Sequence, residues 1–276
     1  MSGVLERTLG ILELLSRHGE GLELATIADA LNIPRSGVHR LLADLARCGY
    51  VRQTRNQGAY MLTTKLVSMG LSYLSNSGIV DIAQPLLNHL AEISGELVRL
   101  SVVDGERLTW VARAQGARQG LRYDPDMGSD ARLSCSSSGW AWLSTLDPDT
   151  GMRLLAQQGL GQAQDFGPNA PTSLQAVMDQ VQRTQERGYS VTVDTYSLGL
   201  SAMSAPVRLQ GQSAMGVLTI AGPTVRFTEE RMQALAPELM NVAAQLAAAS
   251  GASPFFAQGS ALADNGNSAR KPIYAP

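Results

Sequence analysis

The sequence predicts an α+β chain in two parts: an N-terminal winged helix-turn-helix, then an antiparallel sheet domain with flanking helices. Three observations predict it. Leu24, Ile27, Ala28 and Leu31 are spaced i, i+3, i+4, i+7, which is one apolar helix face, and a second amphipathic segment follows directly after Asn32-Ile33-Pro34. Past Gly49, two short extended stretches, Tyr50–Thr54 and Ala59–Leu62, are separated by Arg55-Asn56-Gln57-Gly58, a hairpin signal. From Leu97 onward, period-two segments alternate with helical ones, and several are hairpin-linked, which fits an antiparallel sheet.

The elements follow in order. Residues 4–18 read as a helix with Leu5, Leu9, Leu12 and Leu15 on one side and Gly19 as its stop. It would complete a three-helix core. The helix from Leu24 ends at Asn32, which tolerates the left-handed conformation of a tight turn, and Pro34 is favoured at a first helical position. The next helix, Arg35 to Arg47, turns Val38, Leu41, Leu42 and Leu45 to the core. Its other face offers Arg35, Ser36, His39, Arg40 and Arg47. Thr64 to Asn76 is a further helix, with Leu66, Met69, Tyr73 and Leu74 on one side; residues 64–78 are taken as a connector. Asp81 is a candidate cap for a helix that buries Ile82, Leu86, Leu90 and Ile93 and closes at Gly95.

Leu97–Asp104 and Arg107–Ala114 alternate about Gly105 as a hairpin. Residues 115–133 are irregular. Helices are expected at Ser136–Leu146, Thr150–Gln158 and Ser173–Arg187, and strands at Tyr189–Thr195, Ala202–Leu209 and Ala214–Ala221. Glu229–Ala249 is a closing helix with Met232, Leu235, Leu239, Val242 and Leu246 inward. The resulting division is 1–63 winged helix, 64–78 connector, 79–250 sheet domain, and 251–276 a disordered tail of Ala, Ser, Pro, Gly and Asn with little to bury.

Charge narrows the function. The net charge of −2 over 276 residues argues against a generally basic nucleic-acid binder. Between residues 35 and 55, however, five arginines (Arg35, Arg40, Arg47, Arg52, Arg55) face one acid, Asp44. A local basic patch on two helices and a hairpin suits double-stranded DNA approached by one face. Arg35, Ser36, His39 and Arg40 are candidate base readers, with Gly37 either permitting close backbone approach or simply tolerated; Arg47, Arg52 and Arg55 are candidate phosphate contacts. A plain solvated helix face would carry the same residues.

Other classes are disfavoured. Two cysteines, Cys48 and Cys135, show neither metal-ligand spacing nor a disulfide framework, which suits a reducing cytoplasm. No signal core, no membrane-length apolar run and no Gly-Lys-Ser/Thr phosphate loop occur. The three histidines, His18, His39 and His89, all precede the sheet, so a Ser–His or Cys–His site there lacks a base. Neither enzyme activity nor a metal or cofactor is expected.

The segment Ile33-Pro34-Arg35-Ser36-Gly37-Val38-His39-Arg40-Leu41-Leu42, then Leu45, Gly49-Tyr50-Val51 and Tyr60-Met61-Leu62, resembles the DNA domain of the IclR family of bacterial transcription regulators. Glu186-Arg187-Gly188-Tyr189, Ala205-Pro206-Val207 and Gly222-Pro223 fall where that family has similar pieces, so the resemblance covers about residues 4–250. It implies operator DNA as partner, homodimers often pairing into tetramers, RNA polymerase as partner if the protein activates, no membrane, and a GAF-like C-terminal domain. That domain would bind a small effector, often a carboxylate or aromatic acid, or would serve only for oligomerisation. The Ser134-Cys135-Ser136-Ser137-Ser138-Gly139 run matches the family's effector loop, with Ser136, Ser137 and Ser138 as candidate ligand contacts. A helix start there favours an anion, although a Ser-rich run also serves as a simple cap. The resemblance further implies Leu121, Tyr123, Met127, Leu133, Asp194, Ala202, Thr219 and Ala221 as pocket positions. Trp140, where the family commonly has Lys, and Trp142 are either pocket wall or core.

Overall fold

The computed structural model describes residues 3–54, 58–123 and 130–249. Arg55, Met127 and the tail 251–276 lie outside the described residues. The chain divides into two compact units, Met1–Asn76 and Ser77–Pro276.

In the first unit, α1 (Val4–Ser16), α2 (Leu24–Leu31) and α3 (Arg35–Arg47) enclose a core of Ile11, Leu15, Ile27, Ala28, Ile33, Val38, Leu41, Leu42 and Leu45. The predicted α1 face is rotated: Ile11 and Leu15 are buried, whereas Leu5 is 70% and Leu9 38% exposed. The Leu5–Leu9–Leu12–Leu15 spacing describes a stripe of which only the C-terminal end meets α2 and α3. Asn32 takes the left-handed conformation at the end of α2 (φ 50°), as its short polar side chain allows. Pro34 is the N-cap of α3 rather than its first residue; it is extended, and its carbonyl accepts the Gly37 and Val38 N–H groups. The wing is β1 (Val51–Gln53) antiparallel to β2 (Tyr60–Leu62), and Leu22 bridges to Tyr60 on the far side of β2. Lys65 fastens the wing's base: its ammonium sits 4.5 Å from the Tyr50 ring centroid and donates to the Cys48 carbonyl at 2.7 Å. Then α4 (Lys65–Ser77) leaves Val67, Met69, Leu71 and Tyr73 exposed.

The second unit opens with α5 (Ile79–Ser94). Its N-cap is Gly78; Asp81 lies in the first turn and is not the cap. Ala83, Leu87, Leu90 and Ala91 form its buried seam, with Ile82, Leu86 and Ile93 only partly buried. Gly95 ends it in the left-handed region, where the Cβ penalty is absent. The sheet is five-stranded and antiparallel, ordered β4 (Arg107–Gln115), β3 (Leu97–Asp104), β7 (Gly216–Pro223), β6 (Leu200–Val207), β5 (Ser190–Val193). Two hairpins, β3–β4 and β6–β7, thus meet along the β3–β7 seam. Between them in sequence lie α6 (Ser137–Leu143), α7 (Pro148–Gln158) and α8 (Leu174–Arg187); α9 (Glu229–Ala249) closes the chain.

Both faces of the sheet are covered. β7 is buried throughout, and β3 over its first six residues. On one face, α5 and α9 pack together against β3, β4 and β6, and α9 turns in Met232, Leu235, Leu239, Val242 and Leu246 as its periodicity predicts. On the other, α6 lies over β5, β6 and β7, with α8 beside it. Trp140 and Trp142 belong to the core under this second layer; the Trp140 indole donates to the Ser134 carbonyl. Gly139 lets α6 approach the preceding segment, since a Cβ there would stand 2.6 Å from the Leu133 Cα.

Candidate functional site

On the first unit, α3 presents Arg35, Ser36, His39 and Arg40 to solvent, on the face opposite Val38, Leu41, Leu42 and Leu45. Gly37 is half-buried, and a Cβ there would meet the Ile33 Cγ2 at 3.3 Å. Its smallness therefore serves packing of the turn onto α3. Arg47 is exposed but bonded to Asp44 at 2.7 Å, a surface pair that a phosphate would compete with. Arg52 is exposed on β1. Exposed arginines thus stand on the second helix of the motif and on the adjoining strand, the two elements that a winged helix brings to a duplex.

On the second unit, strand pairing assembles a polar row inside the protein. Arg99 on β3 lies opposite Thr219 on β7, Thr219 opposite Ser204 on β6, and Ser204 opposite Ser190 on β5. The next row holds Ala221, Ala202 and Thr192. The start of α6 covers these rows. Ser204 donates to the Ser137 hydroxyl and bonds Thr219, each at 2.8 Å, and Ser190 donates to the Ser137 carbonyl at 2.7 Å. Between α6 and the sheet is a cavity of about 20 Å³, lined by Arg99, Trp110, Tyr123, Ser136, Ser137, Ser138, Thr192, Tyr196, Leu200, Ala202, Thr219 and Ala221. That is room for about one water molecule.

Of the predicted pocket residues, Tyr123, Ser136, Ser137, Ser138, Ala202, Thr219 and Ala221 meet at this cavity. Leu121, Leu133 and Asp194 do not. Leu121 is 67% exposed. Leu133 packs in the core with Trp140. Asp194 sits at φ 52° and spends its carboxylate on the following turn, accepting from the Gly199 N–H at 2.7 Å and the Thr224 hydroxyl at 3.2 Å. The expected anion site at a helix start is also modified. α6 has only seven residues, and Ser136 acts as its cap, accepting from the Gly139 N–H and donating to the Arg132 carbonyl. Most of the serine hydroxyl capacity is therefore consumed by the protein itself.

The charge in the cavity comes instead from a residue the sequence reading missed. Arg99 is 5% exposed, and its guanidinium lies 3.9 Å from the Trp110 ring and 5.7 Å from the Tyr123 ring. Burial pushes its pKa down, partly offset by the Tyr123 and Tyr196 hydroxyls. Burial likewise pushes the Tyr123 phenol up, so it remains a neutral donor and acceptor. Trp110, Thr192, Tyr196 and Leu200 also went unforeseen. The one available signal was Arg99 and Ser101 standing in an otherwise apolar strand, Leu97-Val98-Arg99-Leu100-Ser101-Val102.

A winged helix-turn-helix with an exposed basic recognition helix, coupled in one chain to a sheet domain with a small cavity under α6, fits a class: DNA-binding transcription regulators. The particular family follows from comparison. The family model described as "Bacterial transcriptional regulator IclR C-terminal" matches residues 71–248, and the "IclR helix-turn-helix domain" matches residues 4–55. The chain belongs to the IclR family of bacterial transcriptional regulators. It is 30% identical over 243 residues to the HTH-type transcriptional regulator BhcR of Paracoccus denitrificans, covering 88% of this chain and 85% of that one. It is 27% identical to the acetate operon repressor of Salmonella typhimurium, covering 90% and 89%. These relatives are named as regulators and repressors, not enzymes. An IclR regulator structure from Alicyclobacillus acidocaldarius shares the fold with TM-score 0.78 at 24% identity, over 91% of this chain and all of that one. An IclR homologue from Microbacterium hydrocarbonoxydans, solved with 4-hydroxybenzoate, has TM-score 0.75 at 18% identity, over 91% and 100%. No described helix is long and apolar enough to cross a membrane.

Proposed function

We propose that this regulator is controlled by a small organic acid, a carboxylate or aromatic acid, bound in the cavity between α6 and the sheet of the second unit. The observation that carries the reading is the cavity's lining: hydroxyls from α6, β5 and β7, three aromatic rings and one cation converge from six segments of the chain. A structural core does not need such a set. The Microbacterium hydrocarbonoxydans homologue's 4-hydroxybenzoate supports an aromatic acid as one candidate. Drug-sized ligands occupy sites of several hundred Å³, so the roughly 20 Å³ cavity must widen to hold one. Tyr123 and Tyr196, both outside the strands and helices, are the lining residues best placed to swing and admit a ligand.

Arg35, Ser36, His39 and Arg40 then read bases in the major groove, while Arg47, Arg52 and Arg55 hold phosphates. Dimers or tetramers present two such helices to two half-sites of a palindromic operator. The ligand changes operator affinity only by as much as it prefers one of the two states. The protein acts in the cytoplasm, and on RNA polymerase if it is an activator.

The test is a thermal-shift screen of the full chain against small carboxylates, aromatic acids and neutral metabolites, followed by gel shift on DNA adjoining its gene. A selective ligand raises the melting temperature by mass action and alters operator affinity. If no small molecule does either, the sensor reading falls, and the second unit is left with assembly as its task.

A further inference from the structure

Four buried side-chain nitrogen or oxygen atoms have no hydrogen-bond partner among the described residues: Arg99 Nε, Arg99 Nη1, Trp110 Nε1 and Ser101 Oγ. They are not scattered. Arg99 and Ser101 are alternate residues of β3 and so point to the same face, and Ser101 lies opposite Trp110 on β4. Arg99 and Trp110 both line the cavity. The guanidinium and the indole can only donate. Buried donors are ordinarily satisfied, and a buried charge without a counter-charge is costly. Elsewhere in this unit the fold does pair its arginine: Arg226 makes two bonds to the buried Glu96. Among the described residues no carboxylate pairs with Arg99; the groups that face it are the Trp110 and Tyr123 rings, the Tyr123 and Tyr196 hydroxyls, and Arg113 opposite it on β4, and these leave its Nε and Nη1 without a partner.

We infer that Arg99, assisted by the Trp110 indole N–H, is the specificity-determining residue of the cavity and selects a ligand through a single carboxylate. Three of the four unpartnered atoms can only donate, and two of those sit on a positive charge, which calls for a partner that accepts and is negative. Charge selection then rests on β3 and β4, away from the serine run of α6, whose hydroxyls fix shape and orientation. Once the cavity widens, the flat Trp110 and Tyr123 rings would favour a planar body attached to the carboxylate. This inference rests on the sensor reading above.

The probes are isosteric acid and amide pairs, benzoate with benzamide and 4-hydroxybenzoate with 4-hydroxybenzamide, read by thermal shift and calorimetry on the full chain at matched ionic strength. Acids are expected to bind and amides not to. Arg99→Gln is expected to weaken acid binding at least about 30-fold and to abolish the acid–amide difference, as loss of one partner of a buried charged pair does. Trp110→Phe, which removes one donor and keeps the ring, is expected to weaken it several-fold. A second readout needs no ligand: Arg99→Met is expected to raise the melting temperature of the ligand-free protein, because a buried unpaired charge is replaced by apolar volume. A purely structural Arg99 gives the opposite sign. Equal acid binding by Arg99→Gln and wild type overturns the inference, as does a lower melting temperature for Arg99→Met. If neutral molecules bind and change operator affinity while acids do not, Arg99 loses this role and the sensor reading stands. If neither class binds, both fall.

Discussion

Gly139→Ala sets two physical effects against each other. Gly139 lies in α6, and replacing a helical Gly by Ala normally stabilises by about 1 kcal/mol. Here the new Cβ would stand 2.6 Å from the Leu133 Cα, 2.8 Å from the Arg132 carbonyl oxygen and 3.0 Å from the Leu133 carbonyl oxygen. All three are backbone atoms, so no side chain can rotate aside. Ordinary contact begins at 3.4 Å. The helix must therefore move by most of an ångström, and overpacking against backbone sits at the upper end of the usual range, about 2–3 kcal/mol. The contact term wins, and the second unit should lose about 1–2 kcal/mol net, or roughly 2–8 °C in melting temperature for a unit of this size. Because Ser136, Ser137 and Ser138 ride on the same turn, ligand-induced stabilisation should weaken as well. Gly70→Ala is the control: it is also helical, and nothing lies within 4 Å of its Cβ, so propensity alone should act and the melting temperature should hold or rise. A Gly139→Ala protein as stable as wild type, with Gly70→Ala unchanged or stabilised, would refute the steric reasoning.

Three further predictions concern the DNA head, the thiols and the acid limb of stability. Arg40→Ala should weaken operator binding about 10- to 100-fold and relax base choice, whereas Arg52→Ala should weaken all sequences alike and reduce the salt slope by about one; gel shifts over a salt series distinguish them, and normal operator binding by Arg40→Ala would sink the proposed docking. Cys48 is exposed, while burial pushes the Cys135 thiol up to about 11, so a thiol reagent at neutral pH should titrate one group in the native protein and the second only on unfolding. Asp147 caps α7 by accepting from the Thr150 N–H at 2.9 Å, which holds its pKa below the ordinary carboxylate value. A depressed folded pKa means stabilisation that is complete above about pH 4 and lost as pH falls through the lower folded value. The melting-temperature gap between wild type and Asp147→Ala should therefore be constant near neutrality and narrow in acid; a pH-independent gap would count against a charged cap.

The DNA head was the more legible half because its signals are local. The α2–turn–α3 pattern, the wing strands and the core face of α3 all depend on residues within a few positions of one another. In the sheet domain, strands and helices were legible individually, but the β3–β7 seam joins segments distant in sequence, and no periodicity announces which edges meet. That hidden pairing explains why the Arg99 position gave no signal. Alternation alone assigns a strand's polar positions to water, so Arg99 and Ser101 drew no attention; with α6 over that face they are inside. Leu121, Leu133 and Asp194, implied by resemblance, do not line this cavity: they lie at the surface, in the core and at a turn. The Ser136–Ser138 run was found by both routes, although its local chemistry is largely a cap.

The seam between β3 and β7 also has a kinetic meaning. The central pairing of the sheet cannot form until residues 216–223 exist, and its covering layer waits for α9 at 229–249. The winged helix needs nothing beyond β2 at residues 60–62 to complete its core. At a synthesis rate of about 5–20 residues per second, the head leaves the ribosome several seconds or more before the rest of the sheet does. In that interval β3 and β4 are an open hairpin with an apolar edge and a naked arginine, the state most exposed to aggregation and to chaperones. Each newly made copy therefore has a folded winged helix before its second unit has a complete sheet.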